Sequence, residues 1–150
     1  MRYLFKNCYM PFINKTSDIY VKDGYIQEIG DNLKYPSASI IDVKGKITIN
    51  GFVDTHMHLD KALIGEKVSN KSGTLKEAIE IMGKYKKNMT QEDIKRRARE
   101  TLKIAHRYGT RYIRTHVDVD EIIELKGINA LLELKDEFKD TLEIQRFVVK

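Results

Sequence analysis

Predicted strands and helices alternate along the second two thirds of the chain. Apolar runs predict strands at 51–56, 111–117 and 142–149, and apolar residues at helical spacing predict helices between them. Strands that alternate with helices form βαβ units, whose strands are parallel and whose crossovers are right-handed. The pattern therefore predicts an α/β fold built on a parallel sheet.

Three helices are predicted in this part of the chain. The first begins after a capping box at Thr74 and Glu77, and the second begins at Thr90 and ends at Gly109. The third follows the second strand, with Gly127 as a weak point. Their predicted apolar faces are, in chain order, Leu75, Ala78, Ile79, Met82 and Tyr85; Ile94, Ala98, Leu102 and Ala105; and Ile122, Leu125, Leu132 and Leu134.

The first fifty residues have a different pattern, of short strands. Asp23-Gly24 is a preferred pair for a tight turn and predicts a hairpin between strands at 18–22 and 25–29. A second hairpin is predicted around Lys44-Gly45, between strands at 39–43 and 46–49. We therefore expect a small β-domain over 1–50, separate from the α/β region over 51–150.

Composition narrows the class of protein. Hydrophobic residues make up 41% and charged residues 33%, which is typical of a globular chain. No apolar run is long enough to span a membrane, no secretion signal is evident, and Cys8 is the single cysteine. We therefore expect no membrane association and a cytoplasmic location.

The chain is basic, with a formal net charge of +5. Its clustered cations alternate with acidic residues inside predicted helices, which favours solvated helix faces over a nucleic-acid-binding surface. A surface position is likewise favoured for His106, near the end of the second helix. The clustered cations are Lys84, Lys86, Lys87, Lys95, Arg96, Arg97 and Arg99.

His56-Met57-His58 is the motif with the most chemical content. Side chains alternate across a strand, so the two imidazoles point the same way, at the C-terminal end of a predicted parallel strand. Imidazole nitrogen is a good ligand for zinc or iron. Two histidines supply only half of a tetrahedral site, and two polar residues at a strand end without a metal are the alternative.

The surrounding sequence resembles a known family. Residues 51–60 resemble the first barrel strand of the amidohydrolase superfamily, and Asp42-Val43-Lys44-Gly45-Lys46 stands where that family has its preceding turn, with Asn50 replacing a usual proline. His58-Leu59-Asp60, residues 72–75 and residues 114–119 are similar to the bacterial cytosine deaminase group. The resemblance implies an incomplete (β/α)8 TIM-type barrel, with about three of eight strands, preceded by the N-terminal β-domain.

The resemblance also implies site residues. His56 and His58 match the family's ligands for a divalent metal ion, zinc or iron. His116 and Asp118 alternate onto one face of the second strand and either support the site or contact the substrate, or form a hydrogen-bonded polar layer. Asp60 and Lys61 are either site residues or, slightly favoured, an ion pair with each other.

The implied reaction is hydrolytic deamination of a small heterocyclic amine such as cytosine. Residues 58–61 match a pattern shared across the cytosine deaminase group, so they do not identify the substrate. A related amidohydrolase acting on a triazine or another C–N bond is therefore an alternative. The general acid/base and the remaining ligands are expected beyond Lys150. We therefore expect this chain to be inactive alone, and to form an oligomer or require a complementing C-terminal chain. A non-catalytic interaction module that needs a partner chain is the remaining alternative.

Overall fold

The computed structural model describes residues 1–149, with side chains described as far as Arg146. Two compact units divide the chain, Met1–Asn50 and Gly51–Lys150. No helix in the described part of the chain is both long and apolar enough to cross a membrane.

The first unit is a four-stranded sheet in the order β3-β2-β1-β4. The predicted Asp23-Gly24 hairpin is confirmed: both residues have positive φ, 52° and 85°, and they join two antiparallel strands. Leu4, Cys8 and Ile19 are buried in this sheet. The strands are β1 (Arg2–Met10), β2 (Lys15–Lys22), β3 (Tyr25–Gly30) and β4 (Ser39–Asp42).

The predicted second hairpin is wrong. β4 pairs in parallel with β1, and Ile47 forms only an isolated parallel bridge with Tyr9. After the turn at Lys44-Gly45, backbone hydrogen bonds join Tyr9 to Lys46 and to Thr48. The open edge of β1 therefore takes both segments, because it offers unpaired backbone donors and acceptors that a hairpin would leave unused.

The second unit contains the predicted parallel sheet, in the order β5-β6-β7. A short 3₁₀ turn at Leu59–Lys61, here called the 59–61 turn, follows β5. The strands are β5 (Phe52–Met57), β6 (Thr110–Asp118) and β7 (Glu143–Val149), and the helices are α1 (Leu75–Lys86), α2 (Gln91–Arg107) and α3 (Lys126–Glu137).

One face of this sheet is packed and the other is open in the described residues. The helices α2 and α3 contribute to the core on the packed face. On the sheet itself, Val53 and Tyr112 remain 62% and 54% exposed. One buried cluster consists of Leu59, Ala98, Leu102, Ile113, Val117, Leu131, Leu134, Leu142 and Ile144, and a second consists of Met89, Ile94, Ile123 and Ala130.

The apolar face of α3 differs from the prediction. Ile122, Leu125 and Leu132 are exposed, and only Leu134 of the predicted face is buried. The helix begins at Lys126, and its buried residues are Gly127, Ala130, Leu131 and Leu134. Gly127 sets this face, because a Cβ atom there would lie 2.9 Å from the Val117 Cγ1 atom and only glycine allows so close an approach.

The predicted faces of α1 and α2 have different outcomes. Thr74 caps α1 by accepting a hydrogen bond from the Glu77 amide, but the Glu77 carboxylate accepts from the Lys71 and Ser72 amides, so only half of the predicted capping box forms. No residue of α1 is buried. The predicted face of α2 is confirmed, with Ile94, Ala98 and Leu102 fully buried. Helix α2 ends before Gly109, whose φ is +92°.

Candidate metal centre

The C-terminal end of β5 is irregular at the residues that carry the site. Asp54 pairs with Ile113 and Met57 with Thr115, so β5 has one more residue than β6 between these two pairs. His56 lies in this bulge, and its amide donates a 3.0 Å hydrogen bond to Asp54 Oδ1. Bulges next to sites re-aim a side chain, and here the Asp54 carboxylate stabilises the altered backbone.

Three histidines meet at this end of the sheet. The side chains of His56, His58 and His116 each offer one nitrogen atom, and these atoms lie within 4.8 Å of one another. The rings of His56 and His116 stack with centroids 4.2 Å apart, and the ring of His58 lies 5.3 Å from that of His56. Among the described residues, this is the one group of three or more potential metal ligands.

His58 is held in a form suited to binding a metal. Burial and the charge of Lys61 lower the pKa of the His58 imidazole, which favours the neutral ring that a metal requires. Its Nδ1 atom is buried without a hydrogen-bond partner, and it lies 4.0 Å from Asp60 Oδ1, which is buried and also lacks a partner. Burial raises the pKa of Asp60, against the hydrogen bond from the Asp118 amide.

The expected ion pair between Asp60 and Lys61 is not formed; both residues bind Asp118 instead. Asp60 Oδ2 accepts a 3.0 Å hydrogen bond from the Asp118 amide, and Lys61 Nζ donates a 2.7 Å hydrogen bond to the Asp118 carboxylate. The two side chains separate because the 59–61 turn directs Asp60 into the core, where it is 4% exposed.

Lys86 completes this charged group and was missed by sequence reasoning, which assigned it to a solvated helix face. Its ammonium lies 2.7 Å from carboxylate oxygens of both Asp118 and Asp120. Burial opposes the ionisation of Asp118, but hydrogen bonds from Lys61 and Lys86 outweigh it and lower the pKa of that carboxyl group. Asp118 is therefore an ionised partner of two lysines.

A cavity of about 470 Å³ lies beside this charged group. Its polar wall includes Lys61, Lys86 and Asp118, and its apolar wall comes from the exposed residues of α1, including Leu75 and Ile79. Four residues of the predicted apolar face of α1 thus line a cavity, whereas Tyr85 packs against buried residues.

Arg97 was also assigned wrongly to a solvated helix face. It is 1% exposed, and its guanidinium donates to the backbone carbonyls of Asp60 and Ala62. The neighbouring cations of α2 are paired as well: Lys95 contacts Glu133 and Arg99 contacts Glu137, both on α3. Part of the polar face of α2 therefore contacts α3, whereas Arg96 remains 62% exposed, as expected for a solvated face.

The structure brings the six predicted site residues together. His56, His58 and His116 form the cluster, with Asp60, Lys61 and Asp118 adjoining it through the contacts above. His116 joins His56, on β5, and His58, directly after β5, because β6 pairs beside β5 in parallel register. His106, near the end of α2, is exposed and lies outside the cluster, as predicted.

Comparison with known proteins shows which class of proteins this chain is similar to. No protein-family model matches the sequence. N-isopropylammelide isopropyl amidohydrolase of Pseudomonas sp. (strain ADP) is 36% identical over an alignment that covers 89% of this chain and 38% of that enzyme.

Solved structures give the same class. 5-Methylcytosine deaminase from Klebsiella pneumoniae, liganded with 5-fluorocytosine, is similar with a TM-score of 0.83 at 33% identity, covering 97% of this chain and 35% of that one. N-isopropylammelide isopropylaminohydrolase from Burkholderia multivorans has a TM-score of 0.82 at 25% identity, covering 97% of this chain and 37% of that one.

The relatives of this chain are therefore deaminases and hydrolases of the amidohydrolase superfamily. The chain corresponds to their N-terminal part and spans between 35% and 38% of the length of the three relatives named above. The α/β fold expected from the sequence is confirmed by this similarity.

Proposed function

We propose that this chain carries the first part of the metal site of a hydrolase that removes an amino substituent from a small heterocyclic ring, in the cytosine and triazine class. The observation that carries the proposal is the cluster of three imidazoles at the C-terminal ends of β5 and β6. Barrel enzymes place their chemistry at this end of their strands. Two of the three histidines are also the residues that match the family's first metal motif.

The donor set fits a divalent ion. Three imidazoles are suitable ligands for Zn²⁺ or Fe²⁺, and each of the three offers one nitrogen atom to the cluster. Zinc–nitrogen bonds are about 2.0–2.1 Å long, so two nitrogens on one ion lie closer together than 4.8 Å. Small side-chain rotations would therefore accompany binding.

A divalent ion in this cluster would supply Lewis acidity and lower the pKa of a water molecule, which is what hydrolysis of a ring C–N bond requires. His56, His58 and His116 would hold the ion. Asp60, 4.0 Å from His58 Nδ1, lies close enough to orient that ring after a small rotation. Lys61 and Asp118, which also line the adjoining cavity, would contact or exclude parts of the substrate.

The substrate follows from the relatives only as a class. The enzyme at 36% identity acts on N-isopropylammelide by name, whereas the structure at 33% identity is a 5-methylcytosine deaminase. A triazine with an alkylamino substituent is therefore a second candidate beside cytosine. Both reactions hydrolyse a C–N bond at a heterocyclic ring, so the same metal chemistry serves either substrate.

Calorimetric titration with zinc tests the proposal directly. We expect one ion per chain, bound weakly compared with a closed site of four ligands. Each of the variants His56→Ala, His58→Ala and His116→Ala should lower the affinity by at least about tenfold, because each removes a ligand. His106→Ala is the matched control, since it removes the fourth histidine of the chain from an exposed position.

The results of these zinc titrations distinguish the proposed metal site from its alternatives. Zinc binding that survives the double variant His56→Ala/His58→Ala would refute the metal site. Loss of binding in His106→Ala would place the ion elsewhere. An unchanged affinity in His116→Ala alone would leave the β5 motif as the site and return His116 to the polar layer considered from the sequence.

A further inference from the structure

Arg97 is a buried cation at the edge of the candidate metal centre. Its side chain is 2% exposed although it lies on a helix rich in charged residues. Burying an arginine is costly unless its donors are satisfied, since its guanidinium remains protonated in proteins. The partners of Arg97 therefore indicate what the burial achieves.

Three of its four hydrogen bonds go to the backbone around the 59–61 turn. Nη1 donates to the carbonyl of Ala62 at 2.6 Å, and both Nη1 and Nη2 donate to the carbonyl of Asp60 at 3.1 Å. The two acceptors lie on either side of Lys61. The planar, forked guanidinium can donate to both carbonyls at once, whereas the ammonium group of a lysine cannot reproduce this set of hydrogen bonds.

The fourth hydrogen bond fixes the guanidinium itself. Nε donates to Asp93 Oδ2 at 2.8 Å, and the other oxygen of Asp93 is bound by Arg96 and Lys67. The Asp93 amide is in turn held by Thr90, the residue that caps α2. The guanidinium is thus fixed by the first turn of the helix.

The 59–61 turn is held from the opposite side by β6. The amide of Leu59 donates to the buried Thr115 hydroxyl at 3.1 Å, and Asp60 accepts from the Asp118 amide. Leu59 itself is fully buried. The segment that carries His58, Asp60 and Lys61 is therefore fastened by side-chain hydrogen bonds from α2 on one side and by β6 on the other.

We propose that Arg97 is a positioning residue of the candidate metal centre: its guanidinium fixes the backbone of the 59–61 turn and thereby the placement of His58, Asp60 and Lys61. The link to metal binding rests on the function proposed above. The effect on the turn does not, because it concerns the backbone of this chain alone.

Amide hydrogen exchange measures this effect without any ligand. The reporters are the amides of Lys61 and Ala62, which bond to the carbonyls of His58 and Leu59 within the turn. In Arg97→Met and Arg97→Lys, these amides should exchange at least about tenfold faster relative to the amides of β6, because the turn then opens locally. Arg97→Lys keeps the positive charge but removes the forked donors of the guanidinium, so it tests their role if Arg97→Met does not fold.

Two control variants separate positioning from general stabilisation. Arg96→Met removes an exposed arginine from the same Asp93 carboxylate and should leave the turn amides unchanged. Ile123→Ala truncates a core residue that is 3% exposed, away from the turn, and should accelerate the turn and β6 amides together. Equal acceleration of both sets in the Arg97 variants would overturn the positioning role.

Zinc affinity supplies the second measurement. In Arg97→Lys, affinity should fall by about tenfold or more, as when the residues that orient metal ligands are removed. Affinity equal to that of the unaltered chain would overturn the link between Arg97 and the metal centre. Absence of zinc binding in the unaltered chain would instead refute the proposed function, while the exchange experiment would still decide the role of Arg97 in the turn.

Discussion

Replacing Gly127 by alanine tests how closely α3 must approach β6. The added Cβ atom would lie 2.9 Å from Val117 Cγ1 and 3.6 Å from the Cβ atom of Asp60. Val117 is fully buried and β-branched, so its side chain has little freedom to move. The helix must shift, or Val117 must move to a strained position.

Two opposing effects determine how much Gly127→Ala changes the free energy of unfolding. Alanine is favoured over glycine in a helix by up to about 1 kcal/mol, and overpacking a core costs about 1–3 kcal/mol. Because Gly127 is the second residue of α3, the gain in helix propensity is at the lower end. We therefore expect Gly127→Ala to lower the free energy of unfolding by about 1–2 kcal/mol.

Urea unfolding followed by circular dichroism measures this loss as a shift of the midpoint of roughly 0.5–1 M. Gly83→Ala is the matched control, because Gly83 also lies inside a helix but no atom is within 4 Å of its added Cβ. That variant should be as stable as the unaltered chain or slightly more stable. A Gly127→Ala chain at least as stable as the unaltered one would refute the close-packing argument.

Three further predictions concern acid stability, assembly and activity. Hydrogen bonds from Arg97, Arg96 and Lys67 outweigh the effect of burial and lower the pKa of Asp93 from 3.8 to about 2. Because the pKa of Asp93 is lower in the folded than in the unfolded state, its carboxylate adds about 2 kcal/mol to the free energy of unfolding above pH 4, and this contribution is lost as the pH falls towards 2. In Asp93→Asn, the free energy of unfolding should therefore depend less on pH between 4 and 2. Light scattering should show oligomers or aggregates of the purified chain, since the open sheet face leaves Val53 and Tyr112 more than half exposed; a monodisperse monomer with a sharp thermal transition would contradict this. The purified chain should release no ammonia from cytosine above background, because it spans only 38% of the length of the related amidohydrolase and three imidazoles alone do not supply the general acid/base that ring hydrolysis needs; release abolished by a chelator would show otherwise.

The local chemistry of the sequence determined the class of this protein. Alternating strands and helices predicted the parallel sheet, because that order allows few other connections. Thr74, Thr90 and Gly109 marked helix ends because capping depends on residues close in sequence. The spacing of His56 and His58 predicted convergent imidazoles for the same reason, since alternation along a strand is a local property.

Tertiary structure alone decided features that depend on distant partners. Ser39–Asp42 joined β1 and not a local hairpin, because an open strand edge competes for backbone hydrogen bonds with any turn nearby in sequence. His116 became part of the imidazole cluster only through the register of β6 against β5, and the bulge at His56 likewise exists only in relation to β6.

Arg97 shows the limit of sequence reasoning most clearly. Its helical neighbours are charged and its position in the pattern predicts a solvated face, yet it is buried against the carbonyls of Asp60 and Ala62. Those acceptors lie 37 and 35 residues away in the chain, respectively. A cation is stable in the interior only where such acceptors meet it, and residue type and periodicity carry no information about where the backbone of another segment will pass.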